Sequence, residues 1–146
     1  MKPKRNYTAK KHKPSKMDQC QTPPYAFDAI RRFIPMSWNI WDSATGKVFL
    51  ADEIGTTNKV VESDLSSDSD YLSSHLFRDV IAGVDRFGDY RPDYDCEITN
   101  VPFGIKYDWI QRAVDDDKPF ALLVPLETVS TDRYFSIETL GGTKAR

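Results

Sequence analysis

Histidine and cysteine are nearly missing from this chain, which has only His12, His75, Cys20 and Cys96. The histidines stand in unrelated contexts and the cysteines lie far apart with no Cys-x-x-Cys partner. No metal-ligand set can therefore be assembled from them, and a zinc centre is not expected. The cysteines read instead as two reduced thiols of a cytosolic protein. Long apolar runs are also lacking. No stretch approaches the ~20 residues that a membrane span needs, and the first residues are too charged to form the apolar core of a secretory signal. These absences predict a cytoplasmic chain with no membrane partner. There is no internal repeat.

Acidic residues are absent from positions 1–17, which carry seven cations: Lys2, Lys4, Arg5, Lys10, Lys11, Lys13 and Lys16. Of the 20 cations in the chain, 13 therefore remain to face all 22 acids, so the rest of the protein has a net charge of −9. A basic arm on an acidic body can hold a polyanion through phosphate contacts and counterion release. Lys4, Arg5, Lys10, Lys11 and Lys13 are the candidate nucleic-acid contacts. The other reading is a solvated tail with no partner. The acidic body argues against a broad nucleic-acid surface on the domain itself, so the arm and a local patch would have to do most of the attracting.

With 146 residues and 40% hydrophobic content, the chain can build one domain with a modest core. Residues 1–19 have no apolar periodicity and read as a disordered basic arm. Residues 20–140 read as the domain, and 141–146 as a flexible tail. Thr22 is an expected N-cap with Pro23 at the first helical position. Ala26, Phe27, Ile30, Phe33 and Ile34 then form one apolar helical face, which Pro35 ends. Trp38 to Trp41 reads as a strand ending at Asp42, followed by the small-residue turn Ser43-Ala44-Thr45-Gly46-Lys47 and a helix over Val48 to Ile54. Gly55 and Asn58 break that helix. Val60-Val61-Glu62 is a second strand leading to Asp64. Leu72, Leu76, Phe77, Val80 and Ile81 suggest a helix that stops at Gly83. Ile105, Trp109 and Ala113 mark another. The run Phe120 to Leu126 predicts a strand buried on both faces, and Tyr134 to Thr139 a weak last strand. Strands alternating with helices imply a three-layer α/β fold with a mostly parallel sheet.

Function is concentrated between Tyr94 and Trp109. A short strand stops at Asn100, turns through Val101-Pro102-Phe103-Gly104 and re-enters as a helix. In an open α/β sheet, ligands sit beyond the carboxyl ends of the strands. Asn100 occupies that place with an amide that donates and accepts hydrogen bonds, and Phe103 adds an aromatic face. A second such place is the turn after the first strand, where backbone N–H groups can face a ligand. Asp64 ends the second strand about 20 residues later, where α/β folds hold ribose hydroxyls. On its own, Asp64 reads sooner as a loop acid capping the next helix, and only the other signals favour the ribose role.

Taken in order, these pieces resemble a class I S-adenosylmethionine-dependent methyltransferase of Rossmann-like fold. The nearest resemblance is to the small phage and prophage DNA adenine-N6 methyltransferases, over roughly residues 19–126. Gln21-Thr22-Pro23-Pro24 is similar to the segment that contacts the methionine end of the cofactor. Trp41-Asp42-Ser43-Ala44-Thr45-Gly46 resembles Trp-Glu-Pro-Ala-Cys-Gly, whose acid and glycine turn lie against the cofactor's amino-acid moiety. Val60 to Asp64 is similar to the strand whose terminal acid takes the ribose. Gly83-Val84-Asp85 resembles Gly-Val-Asp-Phe, whose Asp lies near the cofactor adenine. Thr99-Asn100-Val101-Pro102-Phe103 resembles the catalytic Thr-Asn-Pro-Pro-Phe, and Lys118 to Leu123 the strand that follows it.

The resemblance implies catalytic roles for Asn100, Val101, Pro102 and Phe103. It implies cofactor contacts from Gln21, Thr22, Pro23, Asp42, Ala44, Gly46, Asp64 and Asp85. The implied partner is DNA, with RNA also open, in a bacterial or phage-infected cell. Four departures stand against the family pattern. Val48 replaces the second glycine of the turn, where a β-branched residue crowds the cofactor's carboxylate. Val101 replaces the first proline of the catalytic motif and is expected to loosen the turn. Glu97 interrupts a strand that should be apolar, and the sheet reads as truncated at its C-terminal end. They support an alternative: a methyltransferase-like protein without activity that serves as a nucleic-acid or protein interaction module. A short sheet also leaves an edge that invites a partner strand, giving a homodimer or a complex with a host protein.

Overall fold

The computed structural model describes residues 22–46, 49–65 and 80–137. Gln21, Val48 and the basic arm with Lys4, Arg5, Lys10, Lys11 and Lys13 lie outside these residues, as does the 141–146 tail. Within them run five strands: β1 (Asn39–Asp42), β2 (Lys59–Ser63), β3 (Val80–Ile81), β4 (Cys96–Asn100) and β5 (Phe120–Leu123). They form one sheet in the order β3-β2-β1-β4-β5, and every pairing is parallel. The sheet builds outward from β1 through β2 to β3. The chain then returns to lay β4 on the other side of β1. That reversal of strand order opens a crevice beyond the carboxyl ends of β1 and β4.

Helices cover both faces. Successive strand residues point to opposite sides, and β4 shows the alternation clearly. Cys96 and Ile98 enter a core with Ile40, Phe27, Leu50 and Ile54, brought by α1 (Asp28–Arg31) and α2 (Phe49–Gly55). Glu97 points the other way and accepts a hydrogen bond from Trp109 Nε1 at 3.2 Å, on α3 (Lys106–Asp115). A second core on that face packs Trp109 with Phe87 and Val101, the Phe87 and Trp109 rings meeting edge to face at 5.5 Å. The three-layer expectation holds, and the sheet is wholly parallel among the described residues.

Gly55 does end α2, and Asn58 does more than break it. Its amide is buried and donates to the carbonyls of Pro35, at 2.8 Å, and Trp38, at 3.1 Å, which ties the approach to β1 onto the exit from α2. Arg31 makes the matching link from α1 by pairing with Glu53 of α2.

Four local expectations are corrected. Thr22 is buried but caps nothing: Pro23 stands at the N-cap of a single 3-10 turn, Pro24–Ala26, and only Asp28–Arg31 is α-helical. Val80 and Ile81 form β3, pairing with Glu62 and Ser63, rather than the end of a helix. Two β-branched residues suit a ladder better than a helix terminus. The run from Phe120 is an edge strand: Phe120 is 39% and Leu123 43% exposed, so it is not buried on both faces. Tyr134 lies in a one-turn helix, α4 (Asp132–Phe135), because the Thr131 side chain accepts from the Tyr134 N–H at 3.2 Å and caps it. No helix among the described residues is long and apolar enough to cross a membrane.

Candidate functional site

The last residues of two adjacent strands, Asp42 of β1 and Asn100 of β4, mark the crevice. Thr99 fastens the two ends together. Its hydroxyl donates to Asp42 Oδ1 at 2.6 Å and accepts from the Ala44 N–H at 3.2 Å. Asp42 is 1% exposed and its Oδ2 makes no hydrogen bond among the described residues. Burial pushes its pKa up to about 7. The Thr99 hydroxyl opposes this, Glu62 adds to it, the Ala44 N–H opposes it, and Asp64 adds again.

The turn after β1 is held from the side by β2. Thr45 N–H donates to the Ser63 carbonyl at 3.2 Å, and its hydroxyl to Glu62 Oε1 at 2.8 Å. Gly46, at φ +58, presents its N–H to Asp64 Oδ2 at 3.0 Å. Only glycine takes that backbone conformation without strain, which explains its place in the turn. Three carboxylates, Asp42, Glu62 and Asp64, thus surround one short turn. Asp64 also accepts the Val84 N–H on its backbone carbonyl at 2.9 Å. That bond brings the Gly83-Val84-Asp85 loop to the end of β2. Asp85 itself is exposed, and its Oδ1 accepts the Phe87 N–H at 2.9 Å, closing its own loop.

At the end of β4, the Asn100 side-chain oxygen is buried and has no hydrogen-bond partner among the described residues. An amide oxygen enclosed this way forfeits the free energy of a hydrogen bond unless a ligand supplies the donor. Pro102, at φ −59 and ψ 120, turns the chain into the 3-10 segment Phe103–Ile105, which runs on into α3. Phe103 is half-buried. Val101 has a packing role at this corner. It is 2% exposed, packed with Phe87 and Trp109 and flanked by Ala44, Ile105, Leu122 and Val124, so it anchors the turn through its side chain.

Glu97 likewise has a reason to interrupt its strand. Its carboxylate accepts from Arg86 Nε at 2.7 Å, Arg86 Nη2 at 2.6 Å, the Ser43 hydroxyl and Trp109 Nε1. Arg86 is equally buried, pairs with Asp116 at 2.8 Å and lies over the Trp41 ring at 4.8 Å. Burial works against the guanidinium charge, but Glu97 and Asp116 outweigh it and hold the Arg86 pKa above its ordinary value. Through Ser43, Arg86 and Trp109, one carboxylate joins the turn after β1, the loop after β3 and helix α3.

The structure therefore gathers Asp42, Ala44, Gly46 and Asp64 around one turn and sets Asn100 to Phe103 beside it. Asp85 is reached only through the backbone of its loop. Ser43, Thr45, Glu62, Arg86 and Glu97 were not picked out as site residues from the sequence. A charged residue inside an apolar strand does signal a buried counter-charge, but that signal does not say which of the chain's arginines supplies it. The donor set fits a cationic cofactor electrostatically: acids ring the turn, and Asp42 holds an unsatisfied oxygen. Cys96 is a free, buried thiol pushed up to about 12 by burial, then by Glu97 and Asp95. It has none of the thiolate character that nucleophilic chemistry needs.

The doubly wound sheet, all parallel among the described residues, is a Rossmann-like fold of the kind found in methyltransferases. Among solved structures, the chain is similar to ribosomal protein L11 methylase from Lactobacillus delbrueckii subsp. bulgaricus, with TM-score 0.55 and 16% sequence identity. The match covers 72% of this chain and 61% of that one, so the chain spans about six-tenths of the length of that protein. No protein-family model matches the chain, and neither does any curated protein sequence.

Proposed function

We propose that this protein transfers a methyl group from S-adenosylmethionine to the exocyclic N6 amine of adenine in DNA. The observation that carries the proposal is the unpartnered Asn100 oxygen at the tip of β4, beside the turn that ends in Gly46. S-adenosylmethionine supplies an electrophilic methyl group on a positively charged sulfur. Asp42, Glu62 and Asp64 provide negative charge where that cation would lie, and Gly46 lets the backbone approach closely.

The amine of adenine is a poor nucleophile because its lone pair is delocalised into the ring. Asn100 Oδ1 accepts one amine hydrogen and the Val101 carbonyl accepts the other. Together they draw the nitrogen toward tetrahedral geometry and stabilise the positive charge that grows on it, an electrostatic contribution set up before reaction. Val101 is the stiff member of the pair because its side chain is locked in the core. Phe103 stacks on the base, which must leave the duplex to reach this corner. Extrusion costs a few kcal/mol, and stacking worth ~1–3 kcal/mol offsets part of it. The basic arm supplies the phosphate contacts that the acidic body lacks.

A second reading places the acceptor amide or amine on a protein, and the name of the structural neighbour favours it: that enzyme is a methylase of a ribosomal protein. Both readings use Asn100 in the same way. The test offers DNA, RNA and protein separately to the full chain with radiolabelled methyl donor, followed by mass spectrometry of the digested products. N6-methyladenine from DNA is the expected product. Label in protein alone would move the substrate. Cofactor binding without label in any polymer would leave an inactive module.

A further inference from the structure

Of the three acids of the site that are only 1% exposed, Asp42, Glu62 and Glu97, Asp42 alone holds an oxygen with no hydrogen-bond partner among the described residues. Asp42 is 1% exposed, its Oδ1 takes the Thr99 hydroxyl at 2.6 Å, and its Oδ2 has no hydrogen-bond partner among the described residues. The charged groups acting on it from β2 are both acids, Glu62 and Asp64. From β4 it meets only the Thr99 hydroxyl. No cation is among the groups that shift it, and Arg86, buried beside Glu97, is committed to Glu97 and Asp116. The neighbouring acids are already engaged, Glu62 by Thr45 and Asp64 by the Gly46 N–H. A charged Asp42 is therefore opposed by desolvation and by two like charges, with only the Thr99 hydroxyl and the Ala44 N–H, and no cation, to offset them.

We infer that a cationic ligand seated at the 43–46 turn binds with release of a proton from Asp42 to the solvent. In the ligand-free protein, the proton on Asp42 spares the site a third buried negative charge. An arriving cation reverses that balance, because an opposite charge close to a carboxyl favours its ionised form. The site then carries one more negative charge only when a positive one faces it. Burial pushes the acid up to about 7, which places the exchange at neutral pH. This inference rests on the proposed use of S-adenosylmethionine, and it adds that affinity for the charged donor is governed by the protonation of one buried carboxyl.

The test is isothermal titration of the full chain with S-adenosylmethionine between pH 6 and pH 8.5, in buffers of different ionisation enthalpy. If only ionised Asp42 accepts the cation, the competent fraction rises about tenfold from pH 6 to pH 8 and the apparent Kd falls by the same factor. At pH 7 about half a proton is released per ligand bound. The ligand's own α-amine, of ordinary pKa about 7.7–8.0, would take up a proton on entering an acidic site, so net release identifies the protein as its source. Asp42→Asn, which has the shape of the protonated acid and cannot ionise, should bind at every pH more weakly than the wild type does at pH 6, with no gain as pH rises and no release. Binding without proton release in the wild type, or release that persists in Asp42→Asn, overturns the inference and leaves the cofactor assignment standing. Absence of any binding at millimolar cofactor at every pH removes both.

Discussion

Arg86 grips Glu97 through two hydrogen bonds, Nε at 2.7 Å and Nη2 at 2.6 Å, with both side chains all but sealed from solvent. The pair joins the loop after β3 to the strand that carries Asn100, and through Ser43 it also reaches the turn after β1. A buried pair of this kind is costly to break from one side, because the remaining charge loses its main counter-charge and, for Arg86, keeps only Asp116. Its position makes it a brace for the crevice.

Replacing Glu97 by Gln should destabilise the protein by about 3–5 kcal/mol, read as a lower urea midpoint with unchanged slope. Replacing the pair together, Arg86→Met with Glu97→Leu, should cost much less, since neither charge is stranded. A single substitution as mild as the double would mean that no charge is stranded and that the pair is not a brace.

Asn100→Ala should sharply slow methyl transfer while leaving cofactor affinity within about twofold, because the amide is assigned to the acceptor. Loss of one hydrogen-bonding group aimed at developing charge typically lowers kcat by ~10²–10³. An equal drop in cofactor binding would place Asn100 in the cofactor site instead.

Asp42 gives a stability that depends on pH in a fixed direction. Its folded pKa of about 7 lies above the ordinary 3.8, so between those values the folded state holds more protons than the unfolded one. Its stabilising contribution is complete below pH 3.8 and is lost as pH rises to about 7. At about 1.4 kcal/mol per pH unit, the loss has an upper bound of ~4 kcal/mol. Asp42→Asn should remove that slope, so thermal melts of variant and wild type should diverge in favour of the variant as pH rises from 3.8 to about 7. A constant difference across that range would assign the slope to other groups.

Asp64→Ala should weaken cofactor binding and free the Gly46 N–H, at a stability cost of about 1 kcal/mol for the lost hydrogen bond. Titration calorimetry and denaturation measure the two effects separately. Unchanged affinity would show that Asp64 serves only the turn.

Deleting residues 1–17 should lower DNA affinity and flatten its salt dependence, with log K against log salt losing about 0.9 in slope for each phosphate contact removed. Fluorescence anisotropy from 50 to 200 mM salt reads this directly. An unchanged slope would make the arm a bystander.

Much of this architecture was written in local patterns. Alternating strand and helix signals define the doubly wound class because period and turn chemistry are properties of neighbouring residues. The acid and glycine after β1 and the Asn-Val-Pro-Phe corner could be read from their order alone. What the sequence could not disclose was partnership across the sheet. Glu97 reads as an error in a strand until Arg86, 11 residues earlier, folds back onto it. Val101 reads as a damaged motif until the core around Phe87 and Trp109 closes on it. Phe120 and Leu123 have the composition of a central strand, but sheet order makes theirs an edge. The protonation of Asp42 is the clearest case. The residue type fixes its ordinary acidity, and only burial among Glu62 and Asp64 shifts it, because desolvation and Coulomb repulsion act through space and not along the chain.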